Sequence, residues 1–241
     1  MIVLHSVSKE LGRGSLRKLV LKDITWSIPP RTRIMLLGQK GSGKTTLLQI
    51  ISGARFPTSG WVERRASICN IGRLLPRRGA NFTPRQIAIR LSHLYRFPSE
   101  EVVQFVERFG ELEGQMDRQL KSLPRDVHQR LPYALGYAIP FDFYLFDGSV
   151  GGRRGPFRER CQAAFETRCR QTGVIFATSS PKIAAQFDGI AGILHDGRVH
   201  VFPTVQAALS VFESLPPPET NRKMAAEEDE DYGDEEEQEW I

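Results

Sequence analysis

The chain has 241 residues, 40% of them hydrophobic and 25% charged, which suits one ordinary globular domain with a tail and excludes collagen-like, disulfide-scaffold and wholly disordered classes. No uninterrupted apolar run approaches the roughly 18 residues of a membrane span, and MIVLHSVSKE lacks a basic region followed by an apolar stretch, so a chain neither exported nor membrane-spanning by itself is expected. The net charge of +5 conceals an asymmetry, because Glu227–Glu239 holds 10 of the 28 acidic residues and no Lys or Arg, leaving +15 on residues 1–226. No aromatic RNA-binding signature or DNA-binding motif accompanies that charge, so no nucleic-acid partner is expected; an anionic membrane surface, an acidic partner or an anionic cargo explains it equally well.

In chain order, Ile2 and Leu4, then Leu19, Leu21, Ile24, Trp26 and Ile28, are spaced as two strands around the turn-rich Gly12-Arg13-Gly14-Ser15, which predicts an antiparallel hairpin. Arg33 to Leu37 is a short apolar strand, and Thr46 to Ile51 is helix-like. Trp61-Val62 and Ser67 to Ile71 offer further strands. Thr83-Pro84 predicts an N-cap with proline at the first helical position, followed by an apolar face of Ile87, Ile89, Leu91 and Leu94. Ser99-Glu100-Glu101 opens another helix, with Val102, Val103, Phe105, Val106 and Phe109 on its buried side.

After Leu131 to Ile139, Phe141 to Asp147 reads as an apolar strand ending in an acid. Phe157 to Thr172 reads as a helix, Val174 to Ala177 as a buried strand and Pro181 to Phe187 as a helix. Ile190 to Leu194, Asp196-Gly197 and Val199 to Phe202 form a closing hairpin, and Thr204 caps a last helix to about Phe212. This alternation predicts an α/β sheet with a helical insertion between about Thr83 and Leu123. Cys69, Cys161 and Cys169 form no CxxC pair or Cys/His cluster, the usage of a reduced cytoplasmic protein without structural zinc. The acidic stretch Glu227–Glu239 has no aliphatic residues to offset ordering entropy, and the segment from about Ala225 reads as a solvated tail, with electrostatic fold-back onto the basic body as its second reading.

Gly38-Gln39-Lys40-Gly41-Ser42-Gly43-Lys44-Thr45, with Thr46 opening the apolar helix, satisfies the P-loop pattern between a strand and a helix. The glycines let the backbone wrap an anion with successive N–H groups, and the helix N-terminus adds a positive dipole end. Lys44 supplies a point charge for the β- and γ-phosphates, while the Thr45 hydroxyl and Asp147, at the end of its distant strand, are the expected Mg²⁺ ligands. ATP and Mg²⁺ are the cofactors this predicts.

With these residues the chain resembles the nucleotide-binding subunit of an ABC transporter, most closely the short cytoplasmic subunits of Gram-negative capsular polysaccharide exporters. Val20 to Ile24, the P-loop, Arg130 to Leu135, Phe141 to Asp147 and Phe157 to Cys161 carry the resemblance, over roughly residues 1–212. It implies a P-loop NTPase of ABC type with an antiparallel β-subdomain and a helical subdomain at about 83–138, residues 213–241 forming linker and acidic tail. It also implies a polytopic membrane permease as partner, dimerisation with a second copy or with a second ABC ATPase, an anionic polysaccharide as indirect cargo, and a peripheral place on the cytoplasmic face of the inner membrane.

The family pattern is broken where hydrolysis is performed. Gly148 stands where the family has a water-orienting Glu, and Ser179 where it has a His; neither can act as a general base or polarise the γ-phosphate. The signature that meets the partner's ATP aligns with Leu123-Pro124-Arg125-Asp126-Val127, where Pro124 supplies no hydroxyl or N–H and Asp126 reads as the N-cap of its own helix. Pro132 lies further along that helix. Leu11 or Leu19 sits where an adenine-stacking aromatic is expected, Gly79 or a neighbour replaces a glutamine that links metal and permease, and Arg153-Arg154 replaces an acidic loop position. Because the chain lacks both halves of a composite site, an ATP-binding, hydrolysis-impaired structural or regulatory subunit is favoured. An active motor for the same export and a nucleotide-responsive interaction protein remain the alternatives.

Overall fold

The computed structural model describes residues 1–12, 17–75, 81–151 and 155–216. The expected hairpin is present as β1 (Ile2–Leu11) and β2 (Lys18–Ile28), and β4 (Ser59–Arg64) joins the free edge of β1 to make an antiparallel sheet of order β2-β1-β4. Leu4 and Val7 are both buried although three positions apart, a spacing that in a regular strand puts side chains on opposite faces. A register shift between them, with Ser6 at φ 46, turns Val7 back to the core side. Of the expected turn, residues 13–16 lie outside the described residues.

The second sheet has the order β5 (Ile68–Asn70), β6 (Phe143–Asp147), β7 (Gly173–Thr178), β3 (Arg33–Leu37), β8 (Ile190–His195), β9 (Arg198–Phe202). All pairings are parallel except the closing β8-β9 hairpin. Its central strands are covered on both faces, which is why β7 is buried at every position and reads as a continuous apolar run. One face, with Ile34, Leu36, Leu145, Ile175 and Ala177, packs with the small sheet and α1 (Lys44–Ile51). The other, with Met35, Leu37, Tyr144, Phe146, Val174 and Phe176, packs with the helices that follow. The Lys22 amide donates to the Gly197 carbonyl at 2.7 Å and so ties the two sheets together.

Between β5 and β6 lie α2 (Pro84–Tyr95), α3 (Ser99–Gly110) and α4 (Arg125–Ala138). Thr83 caps α2 as expected: its hydroxyl accepts from the Gln86 amide at 3.2 Å, and the Gln86 side chain accepts from the Thr83 amide at 3.1 Å. The apolar face of α2 is corrected. Its buried residues are the small Pro84, Ala88 and Ser92, Ile87, Ile89 and Leu91 are half-buried, and Leu94 is 72% exposed. Small residues let α3 approach closely, and the Ser92 and Ser99 hydroxyls meet at 2.7 Å. In α3, Val102, Val103 and Val106 are buried as expected, whereas Phe105 is exposed and stacks on half-buried Phe109 with centroids 5.2 Å apart.

The remaining helices are α5 (Pro156–Gln171), α6 (Pro181–Ala184) and α7 (Val205–Phe212), the last capped by Thr204 as expected. Helix α6 stops short of Phe187. The amides of Gln186 and Phe187 bond three residues back, to Ile183 and Ala184, and tighten the chain out of the α-helix. Among the described residues no helix is long and apolar enough to cross a membrane.

Candidate functional site

Three neighbouring parallel strands, β6, β7 and β3, end side by side. Asp147 pairs with Ala177 and Leu37 with Thr178, so Gly148, Ser179 and the P-loop all leave the sheet at its carboxyl edge, where open α/β sheets bind ligands. Asp147, Thr45 and Ser179 are exposed there.

The loop's form follows from its glycines. Gly43 precedes α1 at φ 100, and a Cβ on it would lie 2.7 Å from Val20 Cγ1, because β2 runs directly beneath the loop. At Gly38 a Cβ would lie 2.5 Å from the Ser42 hydroxyl and 2.9 Å from the Leu194 carbonyl oxygen. Gly41, at φ 80, makes the outer bend, and the Ser42 amide donates back to the Gln39 carbonyl at 3.1 Å. Ser42 and Thr46 are buried, while Lys40 and Gly41 face outward.

The Lys44 ammonium curls across the loop and donates to the carbonyls of Gly38 (2.7 Å) and Gln39 (2.8 Å). Burial holds its pKa below the ordinary lysine value, and the carboxylate of Asp147 opposes part of that shift. The Thr45 hydroxyl donates to Asp147 Oδ2 at 2.6 Å. Among the described residues no group of three or more His, Cys, Asp or Glu side chains could hold a metal by itself. One hydroxyl and one carboxylate instead fit an ion that keeps its waters and takes phosphate oxygens as its other ligands, as Mg²⁺ does.

Beyond Asp147, Gly148 has φ 78, and a Cβ there would meet nothing within 4 Å. The loop is fastened from below. Tyr137 donates its hydroxyl to the carbonyls of Val150 (3.3 Å) and Cys161 (3.4 Å), and a Cβ on Gly151 would collide with the Cys161 side chain. Burial pushes the Cys161 thiol up to about 12 and the Cys169 thiol up to about 11, so both are un-ionised at neutral pH and pack as apolar groups. Ser179 is followed by Ser180, whose hydroxyl caps α6.

Pro124 precedes α4, and Asp126 lies inside the helix, so its expected role as N-cap is corrected. Its carboxylate bonds to Arg130 one turn on at 2.7 Å, which removes it from the amides it would have capped. Arg130 also bonds to Glu111, which receives Arg160 from α5, so one carboxylate joins three helices. The sequence reading missed this cluster, because Glu111 is far in sequence from both arginines. It also missed Val20 under the loop and the hydrogen bonds from the Gln39 side chain to Leu215 and Pro216. Alternation in β2 signals only that Val20 faces opposite to Leu19 and Leu21, and nothing local signals the other two.

Leu11 pairs with Lys18 and Glu10 with Leu19 at the far end of the hairpin, where Leu19 is 43% exposed. Gly79, Arg153-Arg154 and the acidic stretch lie outside the described residues.

A sequence profile described as ABC transporter matches residues 21–134. ATP-binding protein BexA of Haemophilus influenzae is 27% identical over 212 residues, covering 88% of this chain and 98% of its own length. The capsule polysaccharide export ATP-binding protein CtrD of Neisseria meningitidis serogroup B is 27% identical over 216 residues, covering 90% of this chain and all of its own length. The polysialic acid transport ATP-binding protein KpsT of Escherichia coli is 26% identical over 216 residues, covering 88% of this chain and 96% of its own length. Among solved structures, a dimeric ATP-binding cassette bound to ADP and Pi superposes with a TM-score of 0.69 at 19% identity, over 84% of this chain and 98% of its own. An ATP-binding subunit of an ABC transporter gives 0.70 at 17% identity, over 94% of this chain and 98% of its own. Over residues 21–134 the chain thus matches the ABC transporter profile, and its fold is that of the ATP-binding cassettes.

Proposed function

We propose that this chain is the ATP-binding subunit of a transporter exporting capsular polysaccharide, with hydrolysis impaired and a structural or regulatory part in the complex. The observation that carries the nucleotide reading is the Thr45–Asp147 hydrogen bond beside a glycine loop closed over Lys44. The amides of the loop and the first turn of α1 receive phosphate oxygens. Lys44 exchanges its two carbonyl partners for the phosphates, a stronger pairing because both sides are charged. Thr45 and Asp147 hold Mg²⁺, which when bound neutralises phosphate charge.

Impairment rests on the positions beside Asp147. Gly148 presents no side chain to the open space it borders, and Ser179 carries a hydroxyl too short to replace an imidazole. Neither offers a group that accepts a proton near neutral pH. The reading of polysaccharide export comes from the likeness to CtrD and KpsT. On it, the subunit sits against a membrane permease at the cytoplasmic face of the inner membrane and pairs with a second cassette, its own copy or another.

The test is titration calorimetry with MgATP and a phosphate-release assay on the same preparation, together with co-purification of the neighbouring permease. Binding that depends on Lys44, turnover far below that of CtrD under the same conditions, and recovery of the permease are expected. Fast Lys44-dependent turnover would make the chain an active motor; absence of binding at millimolar MgATP would remove the nucleotide reading.

A further inference from the structure

His5 and Trp61 are partners across the β1–β4 pairing, and their rings stack with centroids 4.7 Å apart and planes 16° from parallel. Ile2 and Leu4, which alternate with His5 along β1, are fully buried, so the stack stands on the outer face of the small sheet. Trp61 is 63% exposed. The imidazole covers one side of the indole and leaves the other to solvent, so this large apolar ring takes no part in the core. Two residues on, Glu63 lies 3.9 Å from His5 Nε2 and accepts a hydrogen bond from Arg65 Nε, whose side chain is 72% exposed.

The register sets the surroundings of the stack. Ser27 and Glu63 flank half-buried Val3, and exposed Thr25, two residues before Ser27 on the same face, accepts from the Ser6 amide at 3.1 Å. The indole therefore stands among hydroxyls and planar charged groups. One aromatic ring supplies about 150–250 Å², far short of the roughly 800 Å² per partner that a stable protein complex buries. It matches one ring of a glycan instead. A pyranose has a face of polarised C–H bonds, which the negative face of an indole attracts, and a rim of hydroxyls that pair with Thr25, Ser27 and Glu63. Arg65 has two terminal amino groups beyond the Nε that Glu63 takes, and a guanidinium pairs best with a carboxylate, such as that of an acidic sugar.

We infer that Trp61, with His5, Glu63 and Arg65, is a binding site for one unit of an acidic glycan chain. The choice of glycan rests on the polysaccharide reading above and extends it: the ATP-binding subunit itself touches the cargo, on the outer face of the sheet whose Val20 floors the P-loop. A polymer repeats the same unit, so even a weak single site retains a long chain by rebinding.

The experiment titrates the full-length protein with an oligosialic acid, an oligogalacturonic acid and a neutral dextran oligosaccharide, read by saturation-transfer NMR and by indole emission. At least one acidic probe should bind in the millimolar range or tighter, and dextran more weakly. Trp61→Ala should weaken that binding about tenfold or more, the scale of losing one aromatic anchor, whereas Trp61→Phe should keep most of it. Arg65→Ala should bring the acidic probe down to the level of dextran. Because Trp61 is exposed and outside the P-loop, Trp61→Ala should keep the wild-type thermal midpoint and MgATP affinity. No acidic probe bound at millimolar sugar, or equal binding by wild type and Trp61→Ala, overturns the inference. Loss of permease co-purification in Trp61→Ala without any sugar binding also overturns it and assigns the face to a protein contact. MgATP binding and permease recovery without glycan binding defeat this inference alone, whereas Trp61-dependent glycan binding by a protein that recovers no permease defeats the transporter reading and leaves the site standing.

Discussion

Thr45 and Asp147, 102 residues apart in sequence, meet in a 2.6 Å hydrogen bond from the threonine hydroxyl to the aspartate Oδ2. The pair forms because β6 and β3 flank β7 and end together. Asp147→Ala should therefore abolish the dependence of nucleotide affinity on Mg²⁺. Wild-type affinity should drop about tenfold or more on adding a chelator, the scale of losing one charge-assisted contact. The variant should show a ratio near one in paired titrations, and a variant that keeps the full Mg²⁺ effect would remove Asp147 from the site.

Lys44 carries a pH dependence of definite sign. Burial depresses its pKa, so the free loop loses its positive charge at a lower pH than an ordinary lysine would. MgATP affinity should fall as pH rises through that depressed value and be constant well below it. Lys44→Ala should bind about tenfold or more weakly at neutral pH and lose this alkaline decline. A decline that persists in Lys44→Ala would assign it to another group.

Wild-type turnover is expected at about 10² or more below that of an intact relative, the lower end of the loss from removing a general base. Gly148→Glu with Ser179→His should recover little in a homodimer, because Pro124-Arg125-Asp126 still faces the partner on the family's pattern. Adding Pro124→Ser, Arg125→Gly and Asp126→Gly should raise phosphate release substantially. Strong activity from the double variant would show that the segment before α4 does not limit the reaction. The glutamate has room, yet it forces a side chain onto φ 78, so Gly148→Ala alone should cost about 1–2 kcal/mol in urea titrations.

Glu111 gives a stability test with its own sign. Hydrogen bonding to Arg160, then charge attraction from Arg160 and Arg130, holds its carboxyl below the ordinary glutamate value. Its stabilisation is present above the unfolded-state pKa and is lost as pH falls through the depressed folded value. Glu111 is 43% exposed, and solvent screening limits the effect to about 1 kcal/mol or less. Glu111→Gln should be less stable than wild type at pH 7, and the two thermal midpoints should converge in acid. A difference that persists below pH 3 would mean packing, rather than charge, is lost.

The parts of the site that read directly from sequence are those where one physical constraint dominates. Gly38, Gly43 and Lys44 are dictated by an anion-sized backbone loop, and Asp147 ends an apolar run whose length alone marks a buried strand. The misread positions depend on partners that a linear pattern does not contain. Leu94 has the right spacing for a buried face, yet α2 approaches α3 through Ala88 and Ser92. Asp126 has the right type for a cap, yet Arg130 one turn on captures it. Helix α6 follows a correct proline start and ends early because three-residue hydrogen bonds take over. Gln39 is anonymous in sequence, since its partners lie 176 and 177 residues away.

Val20 beneath Gly43 has a consequence for the dynamics of the loop. The floor of the P-loop is a side chain of β2, and the same hairpin is stitched to the closing hairpin through Lys22 and Gly197. Fraying of the first thirty residues therefore removes the surface on which the loop rests. The lifetime of the phosphate cradle is tied to the opening free energy of the hairpin, and ligation of the loop should raise protection from hydrogen exchange at amides of β2.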